Sequence, residues 1–305
     1  MQITGEKPFR AAVAMSDHLH MERELKEINE YGMDAIHAVE LDMLKAVAHL
    51  CEEHGLRYSI YCGTLLGAVR HKGFIPWDDD VDIAMPLKDF RRFKKVAHEL
   101  PERFSCICFD NTPDSIWPWI RVVADGTACI PLEYAKLNVP WGFSLDIYPM
   151  IGAADTKLGQ KLQNILLFAA RRLQFVSVYR ARQDKGIVKR ILYCIPYPVL
   201  KALSGFILRI AMRDPEKSKR IGTVDAVRFE GKYDLKDWKE MTRLPFEDAE
   251  LSAPAAYDKI LRTMYGEYMT PPAPSHRVPH FLKDKKYIVD PGRDYRLYLQ
   301  ELNKE

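Results

Sequence analysis

Cysteine is sparse in this chain, six in 305 residues (Cys51, Cys62, Cys106, Cys108, Cys129 and Cys194), and no two form a CxxC pair. That excludes a zinc ribbon and a dense disulfide framework; reduced thiols in a cytoplasm are the expectation. Long hydrophobic runs are missing as well. The apolar stretch 191–210 is broken by Pro196, Pro198 and Lys201, which makes it a poor spanning helix and a better interfacial element. The opening residues carry Glu6, Lys7 and Asp17 with no apolar run of signal-peptide length, so export is not expected. There is no internal repeat, no low-complexity tract and no motif for nucleic acid.

With 47% hydrophobic and 29% charged residues the chain has the balance of a folded globular protein. Its net charge is only +3, but the charge is unevenly spread. Residues 157–220 hold fifteen Lys/Arg against three acids, a net +12, while the remainder, thirty against thirty-nine, carries −9. Such asymmetry points one part of the molecule at an anionic partner. Arg and Lys interleaved with Leu, Ile, Phe and Tyr suit an anionic membrane surface at the cytoplasmic face, with a solvated helical surface as the plain alternative.

Ser16 or Asp17 can cap a long helix in which Leu25, Ile28, Met33, Ile36, Val39, Leu41, Leu44, Val47 and Leu50 recur at roughly helical spacing, ending at Gly55. Short β-type runs follow at 57–62, 80–85, 104–109, 119–124, 127–132 and 142–148, with Asp125-Gly126 as a hairpin signal between two of them. Helical stretches at 64–71 and 87–100 intervene. The block reads as α+β, a mixed sheet flanked by helices.

The chemistry is concentrated in residues 61–85. Asp78, Asp80 and Asp82 stand two residues apart, and in an extended chain that spacing puts three carboxylates on one face while Val81 and Ile83 face the core. Like charges on one face repel. A divalent cation removes the conflict, and carboxylate oxygens are what Mg²⁺ or Mn²⁺ takes. An EF-hand loop begins with the same spacing but needs Gly and Glu where this chain has Ile83 and Asp89. Asp146, between Leu145 and Ile147, repeats the apolar–Asp–apolar pattern and could reach the same metal, or serve as a cap or ion-pair partner. Gly63 permits close approach of a phosphate to backbone amides, and Thr64 can donate from a helix start. Together these outline a metal-dependent phosphoryl-group transferase.

Gly63-Thr-Leu-Leu-Gly-Ala-Val-Arg70 followed by Gly73-Phe-Ile-Pro-Trp-Asp-Asp-Asp-Val-Asp82 resembles the signature of the LicD family of phosphocholine transferases, which is related to the fukutin-type phosphotransferases within the nucleotidyltransferase-fold superfamily. Leu145-Asp-Ile-Tyr-Pro149, Pro245-Phe-Glu247, Tyr265-Gly-Glu-Tyr-Met269 and Pro271-Pro272 extend the resemblance over roughly residues 30 to 280. It implies transfer of phosphocholine, or a similar phospho-alcohol, from a donor such as CDP-choline to a hydroxyl of a cell-surface glycan, lipid-linked glycan or teichoic-acid precursor. It places Asp80, Asp82 and Asp146 at the metal, Asp78 as the first acid of the triplet, and Gly63 and Thr64 at the phosphate turn. After Pro149, Met150-Ile151-Gly152 replaces the family's apolar residue and second aspartate.

The expected organisation is an N-terminal helical segment (1–54), a nucleotidyltransferase-like catalytic core (55–150), a basic, membrane-facing helical segment (151–225) and a mainly helical C-terminal lobe (226–305). Arg70, His71 and Lys72 either meet donor phosphates or complement a helix end. Arg121 either holds a phosphate or makes a cross-sheet salt bridge. His280 resembles a family histidine, though a lone His is more often a structural partner. Trp77 and Trp141 flank the acids and could form a cation–π wall for a quaternary ammonium, or pack in the core. Two rival readings are a nucleotidyltransferase that releases pyrophosphate and an inactive glycan- or membrane-binding module.

Overall fold

The computed structural model describes residues 33–184, 186–224, 229, 231–283 and 287–302. The expected cap at Ser16 or Asp17 and the helical positions Leu25 and Ile28 lie outside the described residues. Helix α1 (Met33–Glu53) buries Ile36, Met43, Leu44, Val47 and Leu50 along one stripe. It ends at Gly55, whose φ of +57° gives the left-handed backbone that glycine adopts without strain, and the Leu56 N–H donates to the Cys51 carbonyl to close the last turn.

Each β-type run of the sequence contains a strand: β1 (Ser59–Ile60), β2 (Val81–Pro86), β3 (Phe104–Ile107), β4 (Ile120–Ala124), β5 (Ala128–Pro131) and β6 (Ser144–Gly152). Helices α2 (Cys62–Arg70) and α3 (Leu87–Val96) occupy the two expected helical stretches. One sheet runs β1-β2-β6-β4-β3, with β2 and β6 parallel and the other neighbours antiparallel. Strand β6 is its spine. On one side it pairs with β2; on the other it pairs first with β4 through residues 144–147, then with β7 (Arg220–Thr223) through residues 150–152. Pro149 falls between those two antiparallel partners, a position where a central strand tolerates a residue without an N–H.

Val81 and Ile83 of β2, Leu145 and Ile147 of β6, and Ile120 and Val122 of β4 sit opposite one another in register. All six are buried in one core with Val47, Leu65 and Phe93. Each such aliphatic side chain contributes about 1.5–3 kcal/mol by leaving water. The row also fixes register, because a one-residue slip would turn the intervening acids into the core.

Two expectations are corrected. Asp125-Gly126 does form a turn, with Gly126 at φ +80°, but β4 and β5 do not make a hairpin. The Thr127 hydroxyl donates to the Ala124 carbonyl and accepts from the Phe143 N–H, which steers the chain away, and β5 pairs instead with β11 (Tyr287–Asp290). The C-terminal region mixes strand and helix rather than being mainly helical. After β8 (Tyr233–Asp234), β9 (Met241–Phe246) and β10 (Ala249–Pro254) form an antiparallel hairpin. Exposed Met241, Arg243 and Pro245 alternate there with Thr242, Leu244 and buried Phe246, the period-two pattern of a half-buried strand. Helices α8 (Tyr257–Tyr265), α9 (His280–Lys283) and α10 (Tyr295–Leu302) complete the region.

The basic segment forms α4 (Lys157–Gln174), α5 (Val176–Ala181), α6 (Ile187–Tyr193) and α7 (Tyr197–Ala211). Thr156 caps α4, its hydroxyl accepting from the Gly159 N–H at 3.0 Å. Among the described residues, no helix is long and apolar enough to cross a membrane.

Candidate active site

The face of the sheet opposite the aliphatic row carries charge. Asp82 of β2 lies in register with Asp146 of β6, and Asp146 with Arg121 of β4, so one line of side chains across three strands reads acid, acid, base. Arg121 Nε donates to Asp146 Oδ1 at 2.8 Å, and the same guanidinium donates to the Ser144 hydroxyl. Burial works against the Arg121 charge, but the Asp146 carboxylate more than offsets it and raises the Arg121 pKa. The cross-sheet salt bridge is therefore present, and Arg121 also lies 4.4 Å over the Trp117 ring.

Helix α2 starts directly below the acids. The Thr64 hydroxyl oxygen accepts the Asp82 backbone N–H at 2.8 Å, and the Tyr61 N–H donates to the Asp82 carbonyl at 2.9 Å. Both tie the helix start to β2. Thr64 is buried, so its oxygen positions Asp82. A Cβ placed on Gly63 would stand 2.2 Å from Asp78 Oδ2; the Asp78 carboxylate occupies the space that the missing side chain leaves. His37 stacks on Phe74 and donates to the Asp78 carbonyl at 2.7 Å, fixing the other end of the acidic loop.

Asp79, between the acids singled out in the sequence, has a different task. Its side chain is 5% exposed, against 49% for Asp80. It accepts from the His280 N–H at 2.7 Å, the Phe281 N–H at 3.1 Å and His280 Nδ1 at 3.1 Å. Asp79 thus holds the first turn of α9 and brings His280 into the acidic loop, 3.7 Å from Asp80 and 3.9 Å from Asp78. The hydrogen bond to Asp79 raises the His280 pKa to about 9 against the opposing effect of burial, and the charges of Asp80, Asp79 and Asp78 add to it. Among the described residues, the ligand atoms of Asp78, Asp79 and His280 converge within 4.8 Å.

Although half of the Asp80 side chain meets solvent, the protein packed around it desolvates the carboxyl and raises its pKa to about 6; His280 opposes this, and the Asp79 and Asp146 charges add to it. Asp82 is held well above the ordinary carboxylate range by burial first and then by Asp80, Asp146 and Asp78. Glu40 of α1 is a further acid in this field. Its carboxyl is fully buried with no hydrogen-bond partner among the described residues, and burial, then the neighbouring aspartates, raises its pKa far above normal.

A cleft of about 290 Å³ borders the acidic loop: Asp79 and Asp80 line it, whereas Asp78, Asp82 and Asp146 are not among its lining residues. Arg121, Ser144 and His280 supply its other polar lining, and Trp117, Tyr134, Trp141, Phe175 and Tyr287 its aromatic lining. Trp141 is thus at the cleft, 2% exposed and edge-on to Trp117 at 5.8 Å. Trp77 is not among the lining residues; its ring meets Arg277 at 5.3 Å and His71 at 6.2 Å. Arg70 donates to the Tyr268 carbonyl at 2.7 Å and to His71 at 3.2 Å, and exposed Lys72 donates to the Val69 carbonyl. None of these three lines the cleft. Sequence reasoning missed Asp79, Glu40 and Trp117. For Glu40 a signal existed, an acid four residues after Ile36 inside an apolar helical stripe; Trp117 is half of a Trp-Pro-Trp run. Nothing near Asp79 announces a partner 201 residues away.

Residues 55–159 match the family model "LicD/FKTN/FKRP, nucleotidyltransferase domain". The chain carries a LicD-family domain. That domain begins after α1 and includes the acidic loop, β2, β6 and Arg121. Over 260 residues, 82% of this chain and 95% of the relative, the sequence is 26% identical to the lipopolysaccharide cholinephosphotransferase LicD of Haemophilus influenzae. Over 43 residues, 14% of this chain and 9% of the relative, it is 49% identical to the human ribitol 5-phosphate transferase FKRP. An uncharacterized protein of Rickettsia typhi is 37% identical over 77 residues, 25% of each chain. Similarity to LicD therefore extends well beyond the LicD-family domain.

Proposed function

We propose that the chain transfers a phospho-alcohol, phosphocholine foremost, from a CDP-linked donor to a hydroxyl of a glycan precursor of the cell envelope, and that its mixed sheet is of the nucleotidyltransferase class. The observation that carries this is the in-register pair Asp82–Asp146, with Asp80 two residues away at the edge of a cleft. Two relatives named for phospho-alcohol transfer support it, one of them matched along nearly its whole length.

The donor set fits a hard divalent cation, Mg²⁺ or Mn²⁺. It is all oxygen, and both Asp80 and Asp82 are held above their usual range by burial and by neighbouring acids, a strain that a cation relieves. Asp80, Asp82 and Asp146 would hold it; bound there, it would neutralise charge on the donor diphosphate and make the attacking hydroxyl more acidic. Arg121 sits beside Asp146 and orients that carboxylate while adding positive charge to the cleft. His280, carrying its proton at neutral pH, faces the same space and can donate to a phosphoryl oxygen. Asp78, seated over Gly63, is the acid left to accept the acceptor's proton. Trp117, half-buried at the cleft, supplies aromatic surface for a quaternary ammonium, with Trp141, almost wholly buried, packed edge-on against it.

The test is incubation with Mg²⁺ and an oligosaccharide acceptor, supplying CDP-choline, CDP-ribitol or CTP in turn. Release of cytidine monophosphate is expected. Pyrophosphate released from a nucleoside triphosphate would instead mark nucleotidyl transfer, and binding without turnover a module.

A further inference from the structure

Away from the cleft, the described surface has a large unpartnered apolar area. Helix α4 exposes Leu158, Leu162, Ile165 and Phe168, between 41% and 78% of each. Helix α7 exposes Val199, Leu203, Phe206 and Ile210, between 47% and 58% of each. Three- and four-residue spacing makes each set a stripe, opposed to the face by which the helix is buried. The two helices are fastened together, Ser204 Oγ donating to the Ala170 carbonyl at 2.9 Å and Gln163 Nε2 to the Ala211 carbonyl at 3.0 Å. Contiguous exposed apolar area of this kind marks a contact surface.

Charge identifies what the surface contacts. Neither helix contains an acid, whereas α4 has Lys157, Lys161, Arg171 and Arg172 and α7 has Lys201 and Arg209. A groove of about 840 Å³ beside α7 is lined by Phe90, Phe109 and Phe206 together with Arg91, Lys201, Arg209 and the ion-paired Lys94 and Asp110, a net cationic mixture suited to an anionic amphiphile. A second copy of the chain on a two-fold axis would bring these cations against their own kind. Anionic lipid answers both the apolar and the cationic demand.

We propose that the exposed faces of α4 and α7 seat the chain on an anionic bilayer. Arg171 of α4 and Phe175 just beyond it line the active-site cleft, so the seated helix leads from lipid to the acids. On the transferase reading, that presents a lipid-anchored acceptor to Asp80 at the edge of the cleft; the seating itself does not rest on that reading.

The test is sedimentation of the full chain with phosphatidylglycerol or phosphatidylcholine vesicles, alongside its size in solution. Expected is salt-sensitive binding to the anionic vesicles only. Reversing two charges (Lys157→Glu with Lys161→Glu) should weaken it roughly hundredfold, and Leu162→Ser with Phe206→Ser by about tenfold or more. The apolar double variant should keep its circular dichroism and its turnover of an unanchored oligosaccharide, while losing turnover of an acceptor embedded in vesicles. Equal binding to both lipids overturns the proposal. So does a dimer that the double variant splits without any vesicle binding, which would make a second copy the occupant. Vesicle binding in a chain that turns over no donor would uphold the seating and remove the transferase reading.

Discussion

Replacing Gly63 with Ala separates position from presence at the acidic loop. The new Cβ would stand 2.2 Å from Asp78 Oδ2, whereas carbon and oxygen at rest need about 3.3 Å or more. The carboxylate must retreat by about 1 Å, and as the end of a short side chain it can do so without unfolding anything. Stability should change little: alanine in place of a helical glycine gains about 0.5–1 kcal/mol, and displacing one partly buried charge offsets a similar amount. Activity should respond very differently, since about 1 Å of misplacement at a reacting group costs on the order of 100-fold. The assay is cytidine monophosphate release at saturating donor, with thermal unfolding followed on the same sample. Turnover within threefold of the parent, with unchanged melting, would falsify the claim that Asp78 is held over Gly63 for chemistry.

Asp82→Asn and Asp146→Asn should each lower turnover by roughly 100- to 1000-fold. Asp82→Asn should also raise the melting temperature of the metal-free chain, because it removes a carboxyl whose ionisation burial, Asp80 and Asp146 all oppose; a lower melting temperature contradicts the crowding. Arg121→Ala leaves Asp146 without its counter-ion and should destabilise the fold by about 3 kcal/mol in urea unfolding, whereas an effect near zero would show that the pair is solvated. In the metal-free chain His280 has a folded pKa of about 9, above its ordinary value. Its contribution to stability is therefore full below the unfolded pKa near 6.5 and lost as pH rises through about 9. Asp79→Ala should bring the NMR titration of His280 back toward the ordinary value and cost about 1 kcal/mol through the lost helix cap.

What the sequence made legible was periodic. Asp82 and Asp146 could be placed because acids alternating with Val81, Ile83, Leu145 and Ile147 obey the two-residue repeat of a strand, and the structure sets those aliphatics in one buried row; Asp78 and Asp80, expected on the same strand face, lie instead in the loop before β2. The α1 stop was legible because Gly55 is a local backbone requirement. Contacts between distant parts of the chain left no such trace. The turn at Asp125-Gly126 looked the same whether β5 paired with β4 or with β11, and only the Thr127 hydrogen bonds and a strand far along the chain decided it. Asp79 reads as one more acid in a run, yet it latches His280. Trp77 and Trp141 were equivalent in sequence, both aromatic and both near acids, but only Trp141 reaches the cleft.

Calorimetric titration of the chain with Mg²⁺, beside the same titration of Asp82→Asn, tests most directly whether the paired carboxylates of β2 and β6 hold the ion that transfer requires. One-site binding that tightens as pH rises through about 6, where Asp80 loses its proton, and that vanishes in the variant, is the expected result. Full transfer activity in the presence of a chelator, with no heat from Mg²⁺ at any pH, would contradict it.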